Sequence, residues 1–255
     1  METLFIGKNC IRLGETESTN TFAINLLKNN NIPDGTIILT DKQTNGRGQR
    51  GNSWHSEPGM NIICSLILHP KFISVTDYFL LSKITALAIQ KTIQYFINNS
   101  NQPVQIKWPN DILVSGKKIC GILIENTIQQ NNLKNSVIGF GINVNQIHFS
   151  ENLPDSISMA KIASTTFNNE LILEKFCSLF ETYYIKLKNL KMSLINEEYL
   201  KNLYGFSQLI LIKEVYPNQL LKGQIKEVKN DGELIFLLDD NSERNYRFKE
   251  IQFIL

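Results

Sequence analysis

Lys107-Trp108-Pro109-Asn110-Asp111-Ile112-Leu113-Val114-Ser115-Gly116-Lys117-Lys118-Ile119-Cys120-Gly121-Ile122-Leu123-Ile124-Glu125 follows the pattern of a sheet only in part. Ser115-Gly116 is a hairpin-turn signal between two apolar runs, 112–114 and 118–125, so two strands are expected there. Pro109 forces Trp108 into an extended conformation and interrupts strand pairing. Asn110 and Asp111 then place polar groups where a plain sheet would prefer β-branched residues. Lys118 begins a largely apolar strand. With Ile119 and Cys120 packed in a core, its ammonium stands at the strand mouth, where it could meet a phosphate. The plainer account stays open on these residues alone: Lys117 and Lys118 as a solvated hairpin, and Asp111 as a turn residue.

Upstream, residues 77–98 carry Phe79, Leu80, Ile84, Leu87, Ala88, Thr92, Ile93 and Phe96 at helical spacing. Residues 36–40, 61–68, 104–107 and 136–144 read as strands, and 4–6 with 10–14 as an opening hairpin. Ser18 and Thr19 stand before an apolar helical run, as an N-cap should. Downstream, 171–190 and 193–204 are helical. From Gly205 the texture changes to short strands at 209–215, 223–228, 232–238 and 245–248, separated by Asn230-Asp231-Gly232 and Asp239-Asp240-Asn241 turns. About fifty residues of this kind suggest a small barrel. The expected fold is α+β: a mixed β-sheet flanked by helices over residues 1–203, then a small SH3-like β-barrel over 204–255.

Of 255 residues, 42% are hydrophobic and 20% charged, the composition of a globular chain with a substantial core. A formal charge of +2 argues for neither nucleic acid nor an anionic membrane as partner. Apolar runs such as 61–69 are too short to span a bilayer. Residues 1–9 lack the basic start, apolar centre and cleavage site of a signal peptide, so a cytoplasmic location is expected. Cys10, Cys64, Cys120 and Cys177 are scattered, with no CxxC pair. They read as reduced, mostly buried small hydrophobes. His55, His69 and His148 show no metal-ligand spacing, so no metal site built on protein ligands is expected.

Residues 46–54, GRGQRGNSW, make poor sense as scaffold. Gly46, Gly48 and Gly51 let backbone N–H groups approach a ligand closely. Arg47 and Arg50 supply fixed-fork donors suited to carboxylate or phosphate, and Trp54 offers a flat face. Composition alone leaves a flexible solvated loop equally open.

Taken together, GRGQRGNSW and KWPNDILVSGKKICGILIE resemble, in this order and separation, the two signatures of the biotin–protein ligase family. Gly139-Phe140-Gly141-Ile142-Asn143-Val144-Asn145 is similar to that family's glycine-rich strand, and Ser18-Thr19-Asn20 to its helix start. The resemblance covers roughly residues 15–145, and the remainder only by architecture. It implies a class II synthetase-like catalytic fold and a short form without a DNA-binding domain. Those relatives that double as biotin-sensing repressors carry a helix-turn-helix before the ligase motifs, and here these begin at Ser18.

The resemblance further implies that Ser18, Thr19, Asn20 and Gln43 hydrogen-bond the ureido ring of biotin. It places Arg47, with Gly46, Gly48, Gln49 and Arg50 around it, at the biotin carboxylate and then the adenylate phosphate. Lys118 would meet the α-phosphate of ATP, and Asp111 would help orient Mg²⁺ or the incoming lysine amine. Lys107 and Asn110 count with the ligand contacts, Trp54 packs near adenine, and Asn143 lies near the nucleotide. Gly121, Gly139 and Gly141 let the backbone run close to the ligand. Gln49 and Asn52 stand where many relatives carry basic residues, which puts the strength of adenylate retention in doubt. The implied partner is the biotin carboxyl carrier protein domain of a biotin-dependent carboxylase, served by a monomer or homodimer. A lipoate–protein ligase and an inert biotin- or nucleotide-binding module are the competing readings. The Trp54 loop, the KWPND block and Gln43 favour biotin over lipoate.

Overall fold

Thr36-Ile37-Ile38-Leu39-Thr40 and Ile62-Ile63-Cys64-Ser65-Leu66-Ile67-Leu68 are β-branched and aliphatic runs that fill both faces of a sheet, whereas 79–96 keeps a helical period. In the computed structural model, which describes residues 2–98, 102–151, 153 and 155–255 without the side chains of Asn29 and Arg50, these tendencies become a layered α+β structure. Its elements are β1 (Cys10–Thr16), α1 (Thr19–Asn29), β2 (Thr36–Gln43), β3 (Ile62–Leu68), α2 (Phe79–Phe96), β4 (Val104–Lys107), β5 (Asp111–Val114), β6 (Lys117–Gln129) and β7 (Asn132–Ile142). There follow α3 (Met159–Ala163), α4 (Asn169–Lys188), α5 (Met192–Lys201), β8 (Ile210–Glu214), β9 (Leu220–Val228), β10 (Leu234–Leu238), β11 (Glu243–Tyr246) and β12 (Ile251–Ile254).

The first seven strands form one sheet in the order β1-β2-β3-β7-β6-β5-β4. β1 and β2 are parallel because α1 crosses between them; the other pairs are antiparallel, so the sheet is mixed as expected. Side chains alternate between its faces. Ile37, Leu66 and Ile138 face the large core under α2 and α4, while Ile38, Ile67 and Val137 pack with Ala23 of α1 on the opposite face. Gly139 and Gly141 share the face of Val137 but carry no side chain. Over these two glycines the sheet has no side chain of its own, which leaves room beyond the N-terminus of α1, and that is where the site lies.

One expectation changes, that for the opening hairpin. Residues 4–6 are not the first arm of a hairpin. The N–H groups of Leu4, Phe5 and Ile6 donate instead to the Glu181 carboxylate of α4, at 2.7, 2.9 and 3.0 Å, so a side chain takes the place of a paired strand. Burial would raise the pKa of Glu181, but those three donors outweigh it and hold the carboxyl below its usual value. Cys10 is exposed, whereas Cys64, Cys120 and Cys177 are buried. The C-terminal segment is a five-stranded antiparallel sheet in the order β11-β10-β9-β8-β12, and among the described residues no ladder joins β11 to β12 to close a barrel. Sequence patterning also missed α3 and β12, the strand that pairs with β8.

Candidate active site

The glycine patch of the sheet is the floor of a cavity of about 460 Å³. Ser18, Thr19 and Asn20 enter it from the start of α1, where Ser18 caps the helix by accepting the Thr21 N–H. Gln43 comes from the end of β2, and Lys107, Asn110 and Asp111 from the β4–β5 corner. Lys118, Gly121, Gly139 and Gly141 come from β6 and β7, and Arg47, Gly48, Gln49 and Trp54 from the glycine-rich loop above. Fifteen of the eighteen residues singled out in the sequence thus meet in one place.

The other three stand apart. Gly46 packs below the loop, where a Cβ would lie 2.3 Å from the Trp54 carbonyl oxygen. Asn143 is buried behind the sheet. Its backbone N–H donates to Ile119 O (2.9 Å) and its Nδ2 to Ile157 O (3.1 Å), so it braces the chain rather than lining the cavity. The side chain of Arg50 lies outside the described residues. The loop is also more regular than its composition suggests. A 3₁₀ turn spans Gln49–Gly51, Arg47 bridges Ser53, and Trp54 N–H donates to Gly46 O at 2.9 Å.

At one end of the cavity stand the neutral side chains of Thr19, Asn20 and Gln43, with the Arg47–Glu125 ion pair beside Asn20. Thr19 N–H donates to Gln43 Oε1 (2.9 Å), and Asn20 Nδ2 donates to Leu123 O (3.2 Å) and Glu125 Oε2 (2.8 Å). The same Glu125 oxygen takes Arg47 Nη2 at 2.6 Å, which ties the loop to β6. At the other end the groups are charged. Lys118 Nζ lies 2.7 Å from Asp111 Oδ1 and 5.8 Å from the centroid of the Trp54 ring. Period two would turn Lys118 away from Gly121, but a β-bulge opposite Ile112 and Leu113 breaks the alternation. A Cβ on Gly121 would consequently sit 3.3 Å from Lys118 Nζ, which shows that the two share a face. Burial pushes the Lys107 ammonium below its usual pKa; Asp111 opposes that shift and Lys118 adds to it. Trp54 lies across the glycines, so that a Cβ on Gly141 would come within 2.3 Å of its Cε2. Its Nε1 is buried with no hydrogen-bond partner among the described residues.

Sequence patterning missed one wall altogether. Phe248, Lys249, Ile251, Gln252 and Phe253, from the C-terminal sheet and the turn before β12, also line the cavity. Trp108 holds that wall in place: its Nε1 donates to Gly232 O at 3.0 Å, and its ring meets Phe248 edge-on at 5.3 Å. Only the Trp-Pro break hinted that Trp108 serves a long-range contact. Asp111 is the one carboxylate lining the cavity, and no cluster of three or more potential metal ligands occurs among the described residues.

A ligand with a neutral polar head and an anionic tail fits this gradient. The sequence model described as the biotin/lipoate A/B protein ligase family matches residues 14–143, more than half of the chain. The chain belongs to that family. The bifunctional ligase/repressor BirA of Bacillus subtilis is 35% identical over 188 residues, which cover 72% of this chain and 56% of that protein. The biotin--[acetyl-CoA-carboxylase] ligase of Mycobacterium tuberculosis is 28% identical over 177 residues, covering 69% and 64%. The chain thus spans a little over half the length of the Bacillus ligase/repressor. Among solved structures, the biotin protein ligase of Aquifex aeolicus in complex with biotin and ATP superposes with a TM-score of 0.77 at 23% identity, over 97% of this chain and 99% of that one. That likeness shows a shared fold over nearly the whole of both chains.

Proposed function

We propose that the protein is an ATP-dependent biotin–protein ligase, which converts biotin to biotinyl-5′-AMP and transfers it to a lysine of a biotin carboxyl carrier protein domain. The observation that carries this reading is the polarity of the cavity. Hydrogen-bonded Thr19, Asn20 and Gln43 stand at one end, with the Arg47–Glu125 pair beside Asn20, and Lys118 with Asp111 stands at the other. A buried urea needs partners for both its N–H groups and its carbonyl, and such a wall provides them. A dithiolane ring would leave the same polar groups unpaired, which favours biotin over lipoate. Residues 1–203 supply the reacting groups, and 204–255 close the cavity from the side.

In the first step a biotin carboxylate oxygen attacks the α-phosphorus of ATP, and the bond to pyrophosphate breaks. Arg47 holds the carboxylate and Lys118 offsets the charge that builds on the phosphoryl oxygens. Trp54 and the loop cover the mixed anhydride against water. In the second step the acceptor amine attacks the acyl carbon, the bond to phosphate breaks, and AMP leaves. Asp111 orients the entering amine. Asp111, the carboxylate lining the cavity, would be the residue to meet a Mg²⁺ that enters with the triphosphate, and the cation would there offset phosphate charge. Mass spectrometry of a carrier domain incubated with the protein, biotin and MgATP tests the reading. A mass gain of one biotinyl group on a lysine is expected, and an unmodified carrier together with absent pyrophosphate release overturns it.

A further inference from the structure

Behind the neutral end of the cavity, and outside its lining, stands a fully buried serine. Ser65 of β3 is 0% exposed, and its Oγ lies 2.7 Å from Thr19 Oγ1 and 2.6 Å from Asn20 Oδ1. A serine hydroxyl has one proton, so it can donate along only one of these contacts. The network fixes which one. Asn20 Nδ2 faces two groups that can only accept, Leu123 O and the Glu125 carboxylate, so the amide has its oxygen toward Ser65. An amide oxygen cannot donate, and therefore Ser65 donates to Asn20. The contact with Thr19 then needs the Thr19 proton, which points back at Ser65. Gln43 Oε1 is the weaker claimant for that proton, at 3.3 Å, and already accepts the Thr19 N–H at 2.9 Å.

The chain of bonds runs Thr19 O–H to Ser65 O–H to Asn20 amide to Glu125 carboxylate, where Arg47 also arrives. With its proton drawn backward, Thr19 Oγ1 shows only lone pairs to the cavity. Beside it Gln43 holds its oxygen against Thr19, so its Nε2 group is left to donate. One acceptor next to one donor matches the N–H and C=O of a cyclic urea.

We propose that Ser65 is a specificity-determining positioning residue, which holds the Thr19 hydroxyl as an acceptor and so selects ligands that carry a ring N–H. This rests on the biotin reading of the cavity. In Ser65→Ala the side chain keeps nearly the same shape, but the Thr19 hydroxyl is free to turn its proton into the cavity. The ligand's N–H then meets a donor in part of the population.

The test compares, by calorimetric titration, biotin with its two cyclic-carbamate analogues, in which one or the other ring N–H is replaced by oxygen. For the isomer lacking the N–H that faces Thr19, the parent should prefer biotin by about tenfold or more. In Ser65→Ala biotin affinity should fall and that preference should shrink by about tenfold, while the KM for ATP stays unchanged. Ser65→Cys, with a weak donor of similar shape, should move both quantities the same way and less far, and it serves if the alanine variant does not fold. A merely structural serine would lower the Tm of the variants and leave the biotin-to-carbamate ratio at the parent's value; that result overturns the proposal. Failure of the parent itself to bind biotin would instead overturn the function proposed above.

Discussion

Lys118 and Asp111 approach to 2.7 Å only because a bulge turns Lys118 onto the face of Gly121. In the proposed reaction the Lys118 ammonium meets phosphate and leaves the urea untouched. Lys118→Ala is therefore expected to lower pyrophosphate release by about a hundredfold, equivalent to ~3 kcal/mol of lost charge stabilisation. Biotin affinity by calorimetry should stay within a few-fold; a collapse of biotin binding with intact pyrophosphate release would contradict the assignment. Gly141→Ala acts by shape alone. Its Cβ would stand 2.3 Å from Trp54 Cε2, so the indole must leave its place on the sheet. Overpacking of this kind typically costs about 1–3 kcal/mol. A changed Trp54 emission together with weaker adenylate retention is expected, and an unchanged spectrum would refute the contact. Most of these side chains were legible in the sequence because the chemistry they carry is out of place in a strand or a solvated turn. Ser65 was not, since one serine inside Ile62-Ile63-Cys64-Ser65-Leu66-Ile67-Leu68 reads as filler until Thr19 and Asn20 are seen beside it. Asn143 stands behind the sheet, where its Nδ2 donates to Ile157 O and its Oδ1 has no hydrogen-bond partner among the described residues.

The glycine-rich loop is held at its base by the Trp54–Gly46 bond and across its middle by the half-exposed Arg47–Glu125 pair. Exposed ion pairs hold little, and few apolar anchors lie between residues 45 and 53, so this element belongs at the low-stability end of the fold. Amide hydrogen exchange there should be fast in the free protein and slow strongly when biotin and ATP are added. Equal exchange in an active preparation would argue against loop closure over the adenylate. Other elements were readable to different degrees. α2 announced itself by eighteen residues of helical period, and the β5–β6 hairpin by Ser115-Gly116. β1 did not reveal its parallel partner, because pairing direction depends on the α1 crossover and not on the strand's own residues. Residues 4–6 look like a strand to any local rule, yet a carboxylate 175 positions away captures their N–H groups. β12 was hidden in a short chain end whose partner, β8, is about forty residues upstream.

At the scale of the whole molecule the contacts that fasten the C-terminal sheet to the larger layered part include Trp108 with Gly232 and Phe248, Phe79 N–H with Asn230 O, and Lys83. The Lys83 ammonium, 1% exposed, donates to Val228 O (2.6 Å), Asn196 Oδ1 (2.8 Å) and Asn230 Oδ1 (3.4 Å), and so joins α2, α5 and the end of β9. Burial pushes its pKa down from 10.5 to about 8, against partial support from Glu227, Asp231 and Asp77. Between those two values the unfolded chain keeps a proton that the folded chain has lost, so this group favours folding more as pH rises. Below about pH 8 both states are charged and the cost of burial is felt in full. Buried Cys64, Cys120 and Cys177 act in the opposite sense over an overlapping range. Their thiols are pushed up by burial and stay protonated after those of the unfolded chain ionise. A difference measurement separates the two effects. In urea unfolding with reductant present, the stability of the parent minus that of Lys83→Met should increase from pH 8.5 to 10, by at most about 1.4 kcal/mol per pH unit for one proton. A flat difference would mean that Lys83 titrates as an exposed lysine does, and that the fastening at Val228 opens readily in solution.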